Sequence, residues 1–162
     1  MSKVLVTGGC GYIGSHTIVD LIGKGFSVIS ADNFSNSSPE VLKGIQAITG
    51  KKIQNYSIDL CNAEDTRQLF NDHPDIAGVI HFAESVFQPL RYFQNNMTSL
   101  LNVLSCMKEF EVNHLIFSSS CSVYGNSQML PVTEDTPLQK AESPYARTKQ
   151  MGEAIIHDFS LA

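Results

Sequence analysis

Short apolar runs alternate with longer stripes of three- and four-residue spacing along this chain, and the alternation repeats from end to end. Lys3-Val4-Leu5-Val6-Thr7 is a β-rich run closed by glycines, and a helix is expected from Tyr12 to about Gly23. Gly25 ends that helix, and Phe26-Ser27-Val28-Ile29-Ser30 reads as a second strand closing at Asp32. Ser38 is placed to cap a following helix with Pro39 at its first position, and Gly50 stops it. Ile53 to Ile58 reads as a third strand, Asn62 opens a short helix, and Ile76 to Ile80 is a fully buried fourth strand. The longest helical stripe comes next, with Leu90, Phe93, Met97, Leu100, Leu101, Leu104 and Phe110 forming a core-facing surface that could extend onto a partner. His114-Leu115-Ile116-Phe117 makes a fifth strand, followed by a serine run. The stretch from Gly125 to Glu142, which carries Pro131 and Pro137, reads as a long functional loop. Ser143-Pro144 then starts a last helix.

Strands alternating with helices predict an α/β fold: a Rossmann-like, doubly wound parallel sheet with helices on both faces. With 162 residues and 43% hydrophobic content, the chain suits a single domain over 1–162. Its 11 basic residues stand against 16 acidic ones, a net charge of -5, with no basic block or aromatic-interleaved basic stripe. Nucleic acid is therefore not an expected partner. The run before Gly8 is too short for a signal-peptide core, and no later run approaches a membrane span. Cys10, Cys61, Cys106 and Cys121 form no C-x-x-C and no metal-ligand spacing, so buried thiols in a reducing, cytoplasmic setting are expected, and no metal. Cys121 has no basic neighbour to activate it and reads as a packing residue.

Two groups of residues carry the candidate chemistry. Gly8, Gly11 and Gly14, with Gly9 beside them, lie between the first strand and the first helix. Glycines there allow a tight turn, close approach of backbone N–H groups to a pyrophosphate, and close helix–strand packing. The helix N-terminus adds partial positive charge for the phosphates. Asp32, ending the second strand, stands where a carboxylate binds adenosine ribose hydroxyls and repels a 2′-phosphate, which favours NAD over NADP; the other reading is a turn cap. Asp59 could reach the adenine edge, or could simply open a helix. The second group is Tyr145 and Lys149, four residues apart and so on one helix face. An ammonium near the phenol favours phenolate and lowers its pKa, preparing it to exchange a proton with a sugar or alcohol hydroxyl. Ser118, Ser119, Ser120 and Ser122 follow the fifth strand at the sheet edge where ligands bind. One of them could hold a substrate oxygen beside Tyr145; otherwise they are turn serines bonded to their own backbone.

Taken together, these motifs resemble the extended short-chain dehydrogenase/reductase superfamily, and within it most closely the UDP-glucose 4-epimerase family. The matching segments are Thr7 to His16, Asp32-Asn33-Phe34-Ser35-Asn36-Ser37, Val79 to Ala83, Ile116 to Gly125 and Ser143 to Lys149. The resemblance implies that Tyr12, Ile13, Asp32, Asn33, Phe34, Ser35, Asn36, Ser37, Asp59, Leu60, Phe82, Ala83 and Asn95 line NAD. It implies that Lys149 binds the nicotinamide ribose and tunes Tyr145, and that Ser120 and Tyr145 contact the 4-hydroxyl of a UDP-hexose. In that family hydride leaves C4 of the sugar for NAD and returns to the opposite face of a 4-keto intermediate. Paired helices in a homodimer are a further implication.

Two departures from the family pattern stand out. Ala83 runs straight into Glu84-Ser85-Val86, where the family carries a short insert with a lysine near the cofactor. Family members are also longer, and their C-terminal half supplies a further strand and the nucleotide-sugar site. The chain is thus expected to be truncated before its substrate domain, to expose a sheet edge, and to turn over little or no UDP-hexose alone. Two rivals remain. A sister sugar-nucleotide dehydratase would carry an Asp-Glu pair where Cys121-Ser122 stands. A catalytically silent NAD-binding or dimerisation module would use the Leu90-to-Phe110 stripe as its interface.

Overall fold

Successive residues of a strand point to opposite faces of their sheet, and this chain uses that alternation to build two separate cores. The computed structural model describes residues 2–82 and 89–161. Among them are five parallel strands, β1 (Lys3–Thr7), β2 (Ser27–Ala31), β3 (Gln54–Tyr56), β4 (Ile76–His81) and β5 (Leu115–Phe117), in the order β3-β2-β1-β4-β5. Val6, Val28 and Ile80 point to one face, where α1 (Tyr12–Gly23) and α2 (Glu40–Thr49) cover them with Ile18, Ile22 and Ile45. Leu5, Ile29 and Val79 point to the other. There they meet Leu69 and Phe70 of α3 (Ala63–Asp72) and Leu100, Val103 and Leu104 of α4 (Pro89–Glu109). Ile155 and Ile156 of α5 (Pro144–Ser160) pack against the same cluster. The doubly wound sheet expected from the sequence is the one observed.

Local chemistry sets most element ends. Gly50 takes φ +70 and closes α2, a conformation with little cost for glycine. The Asn62 side chain accepts the N–H groups of Glu64 and Asp65 at the start of α3, and Ser143 accepts that of Ala146 at the start of α5. The Ser38 hydroxyl accepts the Glu40 N–H at 3.3 Å, although regular helix begins one residue after Pro39. The sheet edges depart from expectation. β3 spans three residues instead of Ile53 to Ile58, because only Ile29, Ser30 and Ala31 of β2 offer it partners. β5 starts at Leu115, pairs only with β4, and has no strand beyond it among the described residues, leaving Ile116 63% exposed. Residues 125–142 contain no helix or strand, as their prolines predict.

β1, β2 and β3 run outward in one direction, and β4 then returns to the opposite side of β1. The helices that follow β1 and β4 cover opposite faces of the sheet, and a crevice opens between the carboxyl ends of these two strands. On its far side α5 is pressed against β5: a Cβ on Gly152 would lie 2.7 Å from Phe117 Cζ. That approach brings the two preceding turns of α5, with Lys149 and Tyr145, up to the end of the sheet.

The α4 stripe divides. Leu100 is fully buried and Leu104 nearly so, whereas Leu90 is 80% and Leu101 48% exposed. Leu100→Ala is expected to cost about 2–5 kcal/mol in urea unfolding, and Leu101→Ala less than about 1 kcal/mol. Equal losses would mean that the assigned burial face is wrong.

Candidate functional site

The first wall of the crevice is the β1–α1 turn. Gly8 has φ +60 and donates its N–H to the Ala31 carbonyl at 2.8 Å, tying the turn to the end of β2. A Cβ on Gly14 would collide with the Gly8 carbonyl oxygen and lie 2.8 Å from Gly9 Cα. Only glycine lets α1 start this close to β1. Gly11 precedes the helix in extended conformation with no side-chain cap, so the first-turn N–H groups and the positive end of the helix dipole face the crevice. Tyr12 is 83% exposed at its rim. Uncapped N–H donors at the start of a helix pressed against a glycine turn fit a pyrophosphate.

Asp32 organises the neighbouring segment. It is nearly buried, and its carboxylate accepts the N–H of Cys10 at 2.9 Å, the N–H of Phe34 at 2.9 Å and the hydroxyl of Ser37 at 2.7 Å. The turn-cap reading of Asp32 is therefore present in the structure, and it extends across 22 residues to the glycine turn. The same side chain also lines the crevice. Asp59 is similar: its carboxylate accepts the Cys61 N–H at 2.9 Å, the helix-entry geometry, and it lines the crevice too.

The second wall holds the ionisable groups. His81 is 1% exposed; its Nδ1 lies 2.9 Å from the Thr7 hydroxyl and its Nε2 has no hydrogen-bond partner. Burial first, and the Lys149 charge second, push its pKa from 6.5 down to about 4, so it is neutral at pH 7. Lys149 is also 1% exposed, and its ammonium donates to the Ser118 carbonyl. The Nζ sits 4.8 Å from the Phe117 ring centroid and 5.5 Å from that of Tyr145. Burial pulls its pKa down to about 8, with the Glu153 carboxylate acting in the opposite direction. Tyr145 responds first to its own burial, which raises its pKa above 10, while a hydrogen bond with Ser120 lowers it. The expected lowering of the phenol by Lys149 is thus not what this arrangement produces, because the ammonium lies over the ring and bonds to a backbone carbonyl. Ser120 caps a single 3-10 turn (Cys121–Tyr124), its hydroxyl oxygen accepting the N–H and the hydroxyl of Ser122, which is the turn-serine geometry.

Of the residues singled out in the sequence, Gly8, Gly11, Tyr12, Ile13, Gly14, Asp32, Asn33, Ser35, Asn36, Ser37, Asp59, Leu60, Phe82, Asn95 and Tyr145 line one cavity of about 330 Å³. That volume lies at the lower end of the range of small-molecule sites. Phe34, with φ +59, does not line it. Neither do Ser120 and Lys149, although Lys149 bonds to Ser118, which does. Ala83 and the shortened loop after it lie outside the described residues. Ser118, one of the serines singled out after the fifth strand, lines the cavity as well, whereas sequence reasoning gave no role to His81 or Ser99; the signal for His81 was a polar residue ending the apolar β4 run. Cys10 and Cys106 are buried as expected, whereas Cys61 is half-buried and Cys121 exposed, because Cys121 sits on the outer side of the 3-10 turn. Among the described residues no three His, Cys, Asp or Glu side chains converge as a metal site, and no helix is long and apolar enough to cross a membrane.

Comparison with known proteins adds four findings. The model of the NAD dependent epimerase/dehydratase family matches residues 4–162. A UDP-glucose 4-epimerase from Bacillus subtilis is 44% identical over 165 residues, covering 98% of this chain and 48% of the relative. One from Dictyostelium discoideum is 43% identical over 162 residues, covering 96% and 46%. The crystal structure of the Bifidobacterium longum UDP-glucose 4-epimerase in complex with NAD+ and UDP superimposes with a TM-score of 0.93 at 41% identity, over 98% of this chain and 49% of that one. The chain spans about half the length of the curated relatives it matches.

His81 gives the site an acid limit. Its folded pKa is depressed, so the unfolded chain takes up the proton below 6.5 and the folded chain only near 4. Stability from this group is complete above pH 6.5 and is lost as pH falls towards 4. Between about pH 7.5 and about pH 5 the loss is expected to be about 2 kcal/mol in urea unfolding, and His81→Asn is expected to flatten that dependence. An equal pH slope in the variant would remove His81 as its source.

Proposed function

Because the chain belongs to the NAD dependent epimerase/dehydratase family, we propose that it binds NAD along the Gly8–Gly14 turn and carries the cofactor half of a UDP-hexose 4-epimerase site. The observation behind this reading is that the glycine cradle and Tyr145 open into the same cavity. In this reading the cradle takes the pyrophosphate, Asp32 and the segment to Ser37 take an unphosphorylated adenosine ribose, and Tyr145, which lines the same cavity, meets the nicotinamide end. When bound, the nicotinamide supplies the acceptor and donor of hydride.

The chain's own groups do the rest. Tyr145 Oη holds and releases the proton of the sugar 4-hydroxyl, and Ser120, hydrogen-bonded to it, orients that oxygen. Lys149 fixes the Ser118 carbonyl and presents its charge to the ring face of Tyr145. Exposed Leu101 on α4 and Met151 on α5, two helices already packed together, support a homodimer through that pair. The four free cysteines support a reducing, cytoplasmic setting.

A second reading, an NAD-binding module without turnover, is favoured by the raised pKa of Tyr145 and by the ammonium turned to Ser118. Calorimetry and spectroscopy separate the two. NAD is expected to bind the wild type, and Gly14→Ala, which forces α1 away from the Gly8–Gly9 backbone, is expected to weaken binding at least about tenfold. Equal affinity in both would remove the proposed cradle. Absorbance of reduced nicotinamide after adding UDP-galactose supports hydride exchange if it is lost in Tyr145→Phe. No signal in the wild type favours the silent module.

A further inference from the structure

Tyr145, Lys149 and Glu153 follow one another at four-residue intervals on α5 and so share a face. The first two belong to the proposed site, and Glu153 has no role in it. Glu153 is half-buried, and its carboxylate accepts the hydroxyl hydrogen of Ser119. One helical turn earlier, Lys149 donates to the carbonyl of the adjacent Ser118. Two successive side chains of α5 therefore grip two successive residues at the exit of β5. The Ser118 N–H is also held by the His81 carbonyl at 3.0 Å, so this segment is fixed from the sheet as well.

The charge around Lys149 gives the arrangement its meaning. An ammonium removed from water needs a compensating charge or it gives up its proton. The titratable groups facing it are His81 from β4, and Tyr145 and Glu153 from α5. His81 is neutral at pH 7 and Tyr145 is a neutral phenol. Beside it, β5 and its exit contribute the uncharged Phe117 ring and Ser118 carbonyl, and α4 brings the Tyr92 ring to 6.1 Å from that of Tyr145. Among the described residues, Glu153 is the negative group acting on Lys149.

We propose that Glu153, held in place by the Ser119 hydroxyl, is a positioning residue that keeps the buried Lys149 ammonium charged beside Tyr145. It acts through Lys149 and touches neither sugar nor dinucleotide. The inference rests on the reading of Lys149 and Tyr145 as site residues, but it is tested without any ligand.

The test follows the Lys149 side chain through its titration by NMR, in protein carrying ¹³C-enriched lysine, with the signal identified by its loss in Lys149→Met. Glu153→Gln removes the charge at nearly constant shape and keeps an oxygen for Ser119. Its Lys149 midpoint is expected to fall by at least about half a pH unit relative to wild type. Glu153→Met, neutral and of similar length, is expected to do the same and serves if the Gln variant does not fold, as judged by far-ultraviolet circular dichroism. An unchanged midpoint in a folded variant overturns the proposal. Failure of both variants to fold also overturns it, by making Glu153 a structural residue. Because no NAD is present, absence of cofactor binding would not alter this result, and the two readings fail separately.

Discussion

The distance between the start of α1 and the end of β1 controls the architecture of this site. Gly14 sits so close to the Gly8 carbonyl that no side chain fits, and this contact sets where the helix begins and which way its positive end points. Asp32 reinforces it from β2 by holding the Cys10 N–H, while Gly8 bonds to the Ala31 carbonyl. The phosphate-sized cradle is therefore a consequence of packing: the backbone donors are left free because the helix is pressed inward, with no side chain to cap them.

The opposite wall is governed by desolvation. His81 and Lys149 are both nearly sealed from solvent, and burial moves each towards its neutral form. The carbonyl of Ser118 and the faces of Phe117 and Tyr145 return part of the solvation that the ammonium loses. Such an environment is costly for a structural helix and characteristic of sites where protons move. Tyr145 stands between this dry interior and the open crevice, which suits a group that passes a proton between a substrate and the protein.

What the sequence made legible was local. Gly50, Asn62 and Ser143 ended or opened helices where their backbone and side-chain chemistry predicts, and the glycine turn and Tyr145 line one crevice, with Lys149 buried against the Tyr145 ring. What it hid depended on contacts across the fold. Among the described residues β3 and β5 each find a partner on one side only, a fact no strand propensity carries. The bonds of Asp32 reach back 22 residues, and those of Glu153 to Ser119 reach back 34. The direction of the Tyr145 shift was misread because four-residue spacing fixes a shared face but not where the ammonium goes, and a carbonyl of β5's exit competes for it.

A crystal structure of this chain grown with NAD tests the central claim most directly. The pyrophosphate is expected on the amides at the start of α1, with the adenosine end near Asp32 and the nicotinamide end beside Tyr145. A dinucleotide bound away from the glycine turn, or lying with its nicotinamide end at Asp32, would contradict the account.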